Sequence, residues 1–300
     1  MIGMGRMGLN MTERLINDGH LIVAHDLNDQ SLKSAKTVGA ITTKSLNELV
    51  DKIEKPRTVW VMVPSGQATE DVINTLNKLL KPGDCIIDGG NSYYKDSIRR
   101  EKLSKQLSID YLDCGTSGGI WGLKNGYCLT IGGSKKVYEK HKPIFKSLSP
   151  NKSNGKLYVG PTGSGHFVKM VHNGIEYGIM QAFAEGFELL ESKTEFNLNL
   201  EAISENWRRG SVINSWLLDI IAEELVKEPS LSNLSSVVQD SGEGRWTVNE
   251  SIELGVPTPV ISAALYARFR SRQENPLSGK ILSAMRRGFG GHKSDDSRLK

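Results

Sequence analysis

The chain is poor in cysteine and has no long apolar run. Its three cysteines, Cys85, Cys114 and Cys128, show no CxxC or histidine spacing. This pattern excludes a disulfide framework and a typical metal site, and it predicts reduced, buried thiols in a cytoplasmic protein. Because the sequence has no stretch of 18 apolar residues and no signal peptide, we also expect no association with a membrane.

The chain also has only a small excess of positive over negative charge. The net charge is +4 over 300 residues, and the chain has no Lys/Arg run and no interleaving of aromatic with basic residues. These absences argue against a nucleic-acid partner, whereas a mildly basic chain suits a small anionic substrate. The length predicts two domains with a sizeable core.

A dinucleotide-binding fingerprint opens the chain. A GxGxxG pattern is followed by a predicted amphipathic helix over residues 9–18, an apolar strand over 21–24 and the acid Asp26. Glycines at this spacing let the backbone approach a pyrophosphate at a helix N-terminus, and the acid binds ribose hydroxyls. The competing interpretation is a turn with accidental glycines. We expect the cofactor to be bound by Gly3, Gly5, Arg6, Met7, Gly8, Asp26, Val63 and Asn91.

The acid at position 26 bears on the choice between NAD and NADP. A carboxylate repels a 2′-phosphate, and the residues that follow, Leu27, Asn28 and Asp29, include no Arg or Lys to hold one. The sequence therefore predicts NAD as the preferred cofactor.

Little of a first strand precedes the fingerprint. Only Met1 and Ile2 come before Gly3, although the first strand of such a fold is central and about five residues long. We expect most of this strand to be missing, through a shortened chain or a misassigned start. The loss would remove central ladder hydrogen bonds and weaken the cofactor site.

Strands and helices alternate up to residue 162. This alternation predicts a Rossmann-type, doubly wound parallel sheet, whose ligands bind beyond the carboxyl ends of the strands. A glycine-rich stretch, residues 115–119, is either a plain turn or a backbone cradle for a carboxylate or polyol. Further strands are predicted over residues 58–63, 85–88, 109–113, 127–131 and 156–159, with helices over 68–80 and 135–148.

A helix predicted to begin at residue 163 carries a polar stripe. Lys169, His172, Asn173 and Glu176 follow the spacing i, i+3, i+4 and i+7 among apolar residues, so a helix places them on one face about 100° wide. Such a helix is expected to be buried. Burial of a charge costs free energy, so a buried charged side chain is expected to have a partner or a functional role. The simpler interpretation is a structural Lys–Glu pair.

Residues 163–300 are predicted to form an all-α domain. Its first helix runs to residue 190, and further helices are predicted over 200–208, 213–225, 246–254 and 259–272. A helical segment built on one very long helix is marginally stable alone. We therefore expect it to pack against a second copy, as a homodimer or a dimer of dimers.

Six segments spread over the chain match one family. They are Asp88–Ser92, Ser117–Gly119, Gly165–Tyr177, Gly244–Thr247, Gly255–Pro257 and Phe289–His292. On these residues the chain resembles 6-phosphogluconate dehydrogenases of the short, NAD-preferring type. The wider β-hydroxyacid dehydrogenase family shares the helix lysine, but it usually has Asn-Asn where this chain has His-Asn-Gly-Ile-Glu-Tyr.

The resemblance implies catalytic roles for the stripe. Lys169 would be the base that removes the proton of a 3-hydroxyl, which requires a neutral lysine whose pKa is lowered by burial. The resulting keto acid loses carbon dioxide, and Glu176 would then protonate C1 of the enediol. Asn173 is expected to act with these two residues. Substrate hydroxyls and the carboxylate would be bound by His172, Asn91, Ser117, Gly118 and Gly119.

The resemblance also implies a phosphate site. Tyr177, Arg268, Arg286 and His292 would bind the phosphate, the last two from a second copy of the chain. Without the resemblance, Arg268 would be interpreted as a solvated helix charge. One departure is Ser241, because the family typically has a lysine there. One phosphate contact would then be lost, or would be made by Ser241 or Arg245.

These inferences predict oxidative decarboxylation of 6-phosphogluconate to ribulose 5-phosphate with NAD, in the pentose phosphate pathway. One alternative is a β-hydroxyacid dehydrogenase acting on an unphosphorylated acid such as 3-hydroxyisobutyrate, and the arginines argue against it. An alternative of another class is a non-catalytic NAD-binding regulatory protein, prompted by the short first strand. The complete set of Lys169, Asn173 and Glu176 argues against that class.

Overall fold

The first three residues lie in the middle of a sheet in the computed structural model of the chain, which describes residues 1–290. The Ile2 amide donates to the carbonyl of Trp60 at 2.8 Å, and the Ile2 carbonyl accepts from the amide of Met62 at 2.7 Å. On the other side, the Gly3 amide donates to the carbonyl of His25 at 2.9 Å. This short segment is thus hydrogen-bonded to both neighbouring strands through isolated bridges at Ile2.

The first of two compact units spans Met1–Asn173 and is an α/β unit. Its elements are α1 (Arg6–Asn17), β1 (Val23–His25), α2 (Asp29–Thr37), β2 (Ile41–Thr43), α3 (Leu46–Lys52), β3 (Thr58–Val61), α4 (Gln67–Leu79), β4 (Cys85–Asp88), α5 (Tyr94–Gln106), β5 (Asp110–Ser117), α6 (Gly122–Asn125), β6 (Cys128–Gly133), α7 (Lys135–Leu148), β7 (Lys156–Gly160) and the first part of α8 (Ser164–Ser192).

The strand order is that of a doubly wound sheet. Strands β2 and β1 lie on one side of the Ile2 segment, and β3, β4, β5, β6 and β7 follow in sequence on the other. Along β3, Val59 and Val61 enter one buried cluster while Trp60 enters a second one, and Ile86 and Ile87 of β4 alternate in the same way. Both faces of the sheet are thus covered, and the predicted Rossmann-type fold is confirmed.

One pair of strands departs from the predicted parallel sheet. Strands β5 and β6 are antiparallel, with Ser117 opposite Cys128. A parallel crossover needs about a dozen residues or more. The connection over residues 118–127 holds only a 3-10 turn and the one-turn helix α6, so the chain turns back directly.

Two helices and a strand early in the chain had not been predicted. Strand β2 has three residues and no clear alternation, with Ile41 half exposed. Helices α2 and α3 carry stronger signals, because Asn28 and Ser45 cap them through their side chains. Ser45 and Glu48 form the sequence pattern of a capping box, which marks the start of α3. Helix α1 begins at Arg6 rather than at residue 9, directly after the fingerprint glycine Gly5.

The cysteines do not all match the predicted buried state. Cys85 and Cys114 are buried, and burial is the main cause that raises the pKa of both thiols well above the ordinary range. Cys128 is exposed, because it begins the strand that follows the surface turn after β5.

The second unit begins at Gly174 and is helical. It holds the rest of α8 and the helices α9 (Leu200–Arg208), α10 (Trp216–Lys227), α11 (Glu243–Leu254), α12 (Pro259–Ser271) and α13 (Leu277–Gly290). Helix α10 begins at Trp216 and not at residue 213, because the Ser215 side chain caps it. The domain boundary after residue 162 stays a prediction, since α8 runs unbroken through the division at Asn173.

The burial predicted for the long helix is found only in part in the described chain, where Met170 and Tyr177 are buried. Ile175, Ile179 and Leu189 of α8 are 52%, 42% and 73% exposed. The apolar residues of this helix therefore face outward along much of its length. Within residues 1–290, none of the helices is both long and apolar enough to cross a membrane.

Helices α4 and α5 are joined by ion pairs to Glu70. Its carboxylate accepts hydrogen bonds from Arg99 at 2.7 and 2.6 Å and from Nε of Arg100 at 3.0 Å. The bonds from Arg99 are the largest cause that lowers the pKa of Glu70 from 4.5 to about 2, with Arg100 adding to them against the effect of burial.

This shift predicts how stability changes with pH. Because the folded pKa lies below the unfolded one, Glu70 contributes stability that is present above about pH 4.5 and is lost as the pH falls towards about 2. Glu70→Gln should lower the free energy of unfolding near neutral pH and flatten its decline in that acid window. Urea unfolding at a series of pH values measures this effect, with Glu101→Gln as the control. A decline of unchanged slope in Glu70→Gln would contradict the prediction.

Candidate active site

A cleft of about 840 Å³ opens beside the carboxyl ends of the first strands of the α/β unit. Its lining comes from the turn before α1, from the residues that follow β1, β3 and β4, and from α4. The predicted cofactor residues all line it: Gly3, Gly5, Arg6, Met7, Gly8, Asp26, Val63 and Asn91. Folding thus brings the whole predicted set together.

The three fingerprint glycines are required for different reasons. Gly3 has φ +89°, and a Cβ on it would lie 2.3 Å from the carbonyl oxygen of Met62. A Cβ on Gly8 would lie 1.9 Å from the carbonyl oxygen of Gly3. At Gly5 a Cβ would meet nothing within 4 Å, although this residue lines the cleft. Its bare backbone leaves the space that an approaching pyrophosphate needs.

The start of α1 suits the same group. Gly5 provides no side-chain cap, and the first turn holds no acidic residue. The first amide groups of a helix lack partners within the helix, and together with the helix dipole they favour an anion. The residues present therefore fit the diphosphate of a dinucleotide.

Asp26 is held in place by backbone amides. Its Oδ2 accepts from the amide of Met4 at 2.6 Å, and its Oδ1 accepts from the amide of Asn28 at 2.7 Å. Each oxygen keeps a further lone pair for a ribose hydroxyl. Leu27 beside it is 97% exposed. Arg6 is the one Lys or Arg among the described residues that line the cleft.

Helix α8 begins directly on the backbone of β5 and β6. The Asp113 carboxylate accepts from the amides of Gly163 at 2.7 Å and His166 at 2.8 Å, and burial is the main cause that raises its pKa. The carbonyl of Gly165 accepts from the Thr130 hydroxyl at 2.9 Å. These bonds fix the first turn of the helix that carries Lys169. Sequence reasoning had not singled out Asp113.

Lys169 lies against the end of β5. A Cβ on Gly115 would be 2.4 Å from Cβ of Lys169. This glycine lies within β5 and is therefore required by packing, not by a turn. It stands two residues before Ser117, whose loop was predicted to bind substrate. Gly118 and Gly119 continue that loop with φ values of +137° and +51°.

The polar stripe of α8 is connected within its first part. Lys169 Nζ donates to Asn173 Oδ1 and lies 3.5 Å from His172 Nδ1, and His172 Nδ1 is 3.0 Å from the same Asn173 oxygen. Lys169 and Asn173 are half-buried and His172 is exposed. The burial predicted for this lysine is therefore found only in part within the described chain, because one side of the stripe faces outward.

Part of the predicted phosphate site is assembled in the helical unit. The Arg268 guanidinium carbon lies 3.7 Å from the centre of the Tyr177 ring, and the amide of Ser241 donates to the Tyr177 hydroxyl at 3.3 Å. Arg286 lies on α13, whose described residues are all exposed. His292 lies outside the described residues.

Both residues that were expected to replace the family lysine have partners of their own. The Ser241 hydroxyl donates to the Glu243 carboxylate at 2.6 Å. Arg245 donates to Asp240 at 2.6 and 3.1 Å and lies over the ring of Phe269. Glu243 is 1% exposed and had not been singled out from the sequence. A buried carboxylate thus stands next to the position of the missing lysine.

The dinucleotide cleft, and a lysine held at the end of β5, define an oxidoreductase that uses NAD or NADP. Residues 1–160 match the family model described as the NAD binding domain of 6-phosphogluconate dehydrogenase, and residues 165–278 match the C-terminal domain of that enzyme. The chain belongs to the 6-phosphogluconate dehydrogenase family.

Individual relatives agree with this membership. The chain is 41% identical to YqeC of Bacillus subtilis, whose assignment as a 6-phosphogluconate dehydrogenase is provisional, over 98% of both chains. It is 40% identical to the NAD-dependent, decarboxylating 6-phosphogluconate dehydrogenase of Haloferax volcanii, over 97% of this chain and 96% of that one. A Plasmodium falciparum 6-phosphogluconate dehydrogenase structure matches with a TM-score of 0.81 and 32% identity, over 98% of this chain and 64% of that one.

The packing at Gly115 generates a prediction for turnover. Gly115→Ala would place a Cβ 2.4 Å from Cβ of Lys169 and 2.7 Å from the Gly165 carbonyl, so the lysine must shift. We expect kcat/KM of the dehydrogenase reaction to fall by about 100-fold, because a displacement of about 1 Å in an active site costs about that much. NAD binding should persist, since the cleft residues are untouched.

The matched control is Gly186→Ala on the same helix, where a Cβ meets nothing within 4 Å. Steady-state kinetics and NAD titration of both variants measure the difference. Equal activity of the two variants would show that the close approach at Gly115 does not position Lys169.

Proposed function

We propose that the chain catalyses the oxidative decarboxylation of 6-phosphogluconate to ribulose 5-phosphate with NAD. The observation that carries the proposal is the position of Lys169, set against the end of β5 with its Nζ bonded to Asn173. A lysine held there can exchange a proton with a substrate hydroxyl beside the dinucleotide cleft. The name of the Haloferax relative supports the same reaction.

The cofactor would be held by the α/β unit. The amides at the start of α1 and the bare backbone of Gly5 would bind its diphosphate, and Asp26 its ribose. When bound, NAD supplies the nicotinamide carbon that accepts a hydride from C3 of the substrate. Asn91 would contact both the nicotinamide and the substrate from its position in the cleft lining.

Lys169 would act twice in the reaction. In its neutral form it accepts the proton of the 3-hydroxyl as the hydride leaves C3. The product is a β-keto acid, whose bond between C1 and C2 breaks to release carbon dioxide. During this step the protonated lysine donates its proton to the C3 carbonyl oxygen, which leaves an enediol. Asn173 orients the lysine through its side-chain oxygen.

The remaining roles follow the order of residues along the chain. Glu176 would donate a proton to the enediol carbon that was C2 of the substrate. This carbon becomes C1 of the product. His172, Ser117, Gly118 and Gly119 would hold substrate hydroxyls and the carboxylate. The phosphate would be bound by Tyr177, Arg268, Arg286 and His292, with the last two contributed by a second copy of the chain.

A homodimer and a cytoplasmic location are parts of this proposal. The exposed apolar residues of α8, among them Ile175, Ile179 and Leu189, support burial against a second copy.

One observation favours a second candidate substrate. The Ser241 hydroxyl is bonded to the buried Glu243 carboxylate at 2.6 Å, where the family typically has a lysine. A negative charge beside Tyr177 weakens the attraction for a phosphate dianion. The second candidate is therefore the same oxidation of an unphosphorylated sugar acid such as gluconate.

A substrate panel tests the proposed function. We expect NADH formation with 6-phosphogluconate to exceed that with gluconate and with 3-hydroxyisobutyrate. Lys169→Ala should reduce kcat by at least about 1000-fold, because removal of a general base and its positioning both cost rate, while NAD binding persists. Lys193→Ala, an exposed lysine just beyond α8, is the control. Turnover by Lys169→Ala at the level of this control would refute the assignment.

The environment of Asp26 predicts cofactor selectivity. We expect kcat/KM for NAD to exceed that for NADP by at least about tenfold, because the fixed carboxylate repels a 2′-phosphate. The double variant Asp26→Asn, Leu27→Arg should reverse the preference. Asp29→Asn, an exposed acid on α2, should leave it unchanged. Equal values for the two cofactors in the unaltered protein would contradict the prediction.

A further inference from the structure

A buried arginine joins two loops of the dinucleotide cleft. Arg100 of α5 is 2% exposed. Its guanidinium donates to the Asp88 carboxylate at 3.3 Å, to the Ser92 hydroxyl at 3.3 Å and to the carbonyl of Gly66 at 3.5 Å. Burial acts to lower the pKa of Arg100, but Asp88 and Glu70 raise it above its ordinary value. The Arg100 guanidinium is therefore a buried, charged group that is hydrogen-bonded to both loops.

Asp88 receives hydrogen bonds on both of its oxygens. Oδ2 accepts from Arg100 at 3.3 Å and from the Tyr111 hydroxyl at 3.0 Å. Oδ1 accepts from the amide of Gly90 at 3.3 Å and from the Ser92 hydroxyl at 3.2 Å. Asp88 is fully buried, and a buried carboxylate with this many donors is rigidly held.

The two loops joined in this way both reach the cleft. Residues 89–92 follow β4 and present Gly90 and Asn91 to it, and residues 62–66 follow β3 and present Val63 and Pro64. The loops also touch each other, since a Cβ on Gly90 would lie 3.0 Å from the Val63 carbonyl oxygen. Asp88 and Arg100 themselves are absent from the described lining of the cleft, so any effect on a ligand passes through these loops.

A second buried Arg–Asp pair shows what a purely structural pair does in this unit. Arg57 and Asp84 stand before β3 and β4, at the opposite ends of the same two strands. The Arg57 amide and guanidinium donate to Asp84 at 2.7 and 3.2 Å, and the guanidinium also donates to the carbonyl of Val50. This pair stabilises the strand starts and touches no residue of the cleft lining.

We propose that Asp88 and Arg100 are positioning residues that set Asn91 and the loop after β3 for hydride transfer. The bonds to Gly90 and Ser92 flank Asn91 on both sides, so its backbone is held at two points. The adenosine half of the cofactor is bound elsewhere, by the fingerprint and Asp26. Loss of the pair therefore affects the chemical step more than cofactor binding. This inference rests on the proposed dehydrogenase function.

Three variants test the proposal by graded removal of the contacts. Asp88→Asn removes the charge, Arg100→Lys keeps the charge but loses the planar fork, and Ser92→Ala removes a single bridging hydroxyl. Arg57→Lys is the matched control, because it loosens a buried pair away from the cleft. All are compared by thermal midpoint, NAD dissociation constant, kcat and KM with 6-phosphogluconate, and amide hydrogen exchange at Gly90.

We expect Asp88→Asn and Arg100→Lys to lower kcat by about 100-fold, and Ser92→Ala by about tenfold, because displaced reacting groups cost that much. The NAD dissociation constant should rise by less than about fivefold, since the diphosphate and ribose contacts remain. Exchange at Gly90 should quicken in all three. Arg57→Lys should lower the thermal midpoint with kcat within about twofold of the unaltered protein.

Two results would overturn the proposal. One is a kcat loss in Arg57→Lys as large as that in Arg100→Lys at an equal drop in thermal midpoint. The other is unchanged exchange at Gly90 in Asp88→Asn. If the unaltered protein does not oxidise 6-phosphogluconate, the proposed function fails, whereas Gly90 exchange and NAD binding still test the positioning of the loop.

Discussion

The close approach of helix α8 to the bare backbone of β5 and β6 is the constraint on which the site depends. A Cβ on Gly165 would lie 2.6 Å from the carbonyl oxygens of Asp113 and Thr130, and one on Gly115 would strike Lys169. Only glycines permit this spacing. Helix α8 therefore begins in direct contact with the sheet, and Lys169 lies near the end of β5. The rigidity of the lysine's position comes from the sheet and not from burial of the helix.

Polar groups inside the α/β unit are organised in the same manner. Asp113 accepts from two amides at the start of α8, and Asp88 accepts from the loop that carries Asn91. Both carboxylates are buried. Asp88 ends β4 and binds the loop that follows it, whereas Asp113 lies within β5 and binds the start of α8. Unsatisfied amides in such positions are costly. The acids thus allow irregular backbone to exist beside a ligand cleft, which is where function needs it.

Much of the cofactor region could be predicted because its motif is local. The glycines and Asp26 lie within one βαβ unit, and their spacing alone indicates a dinucleotide. Asp88, Arg100 and Asp113 could not be found this way, since their partners are set by tertiary packing. The antiparallel β5–β6 pair was missed because the strand pattern alone does not report direction, although the short connection does. The burial predicted for α8 is only partly found within the described chain, because several of its apolar residues are exposed there. Ile175 and Ile179 are examples.

Cys128, at the start of β6, is a natural site for chemical labelling. Cys128 is exposed and pairs with Ser117 across the two strands, whereas the thiols of Cys85 and Cys114 are buried, with pKa values raised mainly by that burial. A thiol-reactive fluorophore should therefore attach at one position without any engineered cysteine. The dye would stand opposite the residue that begins the Ser-Gly-Gly loop. Its emission can follow the loop in real time as ligands are added.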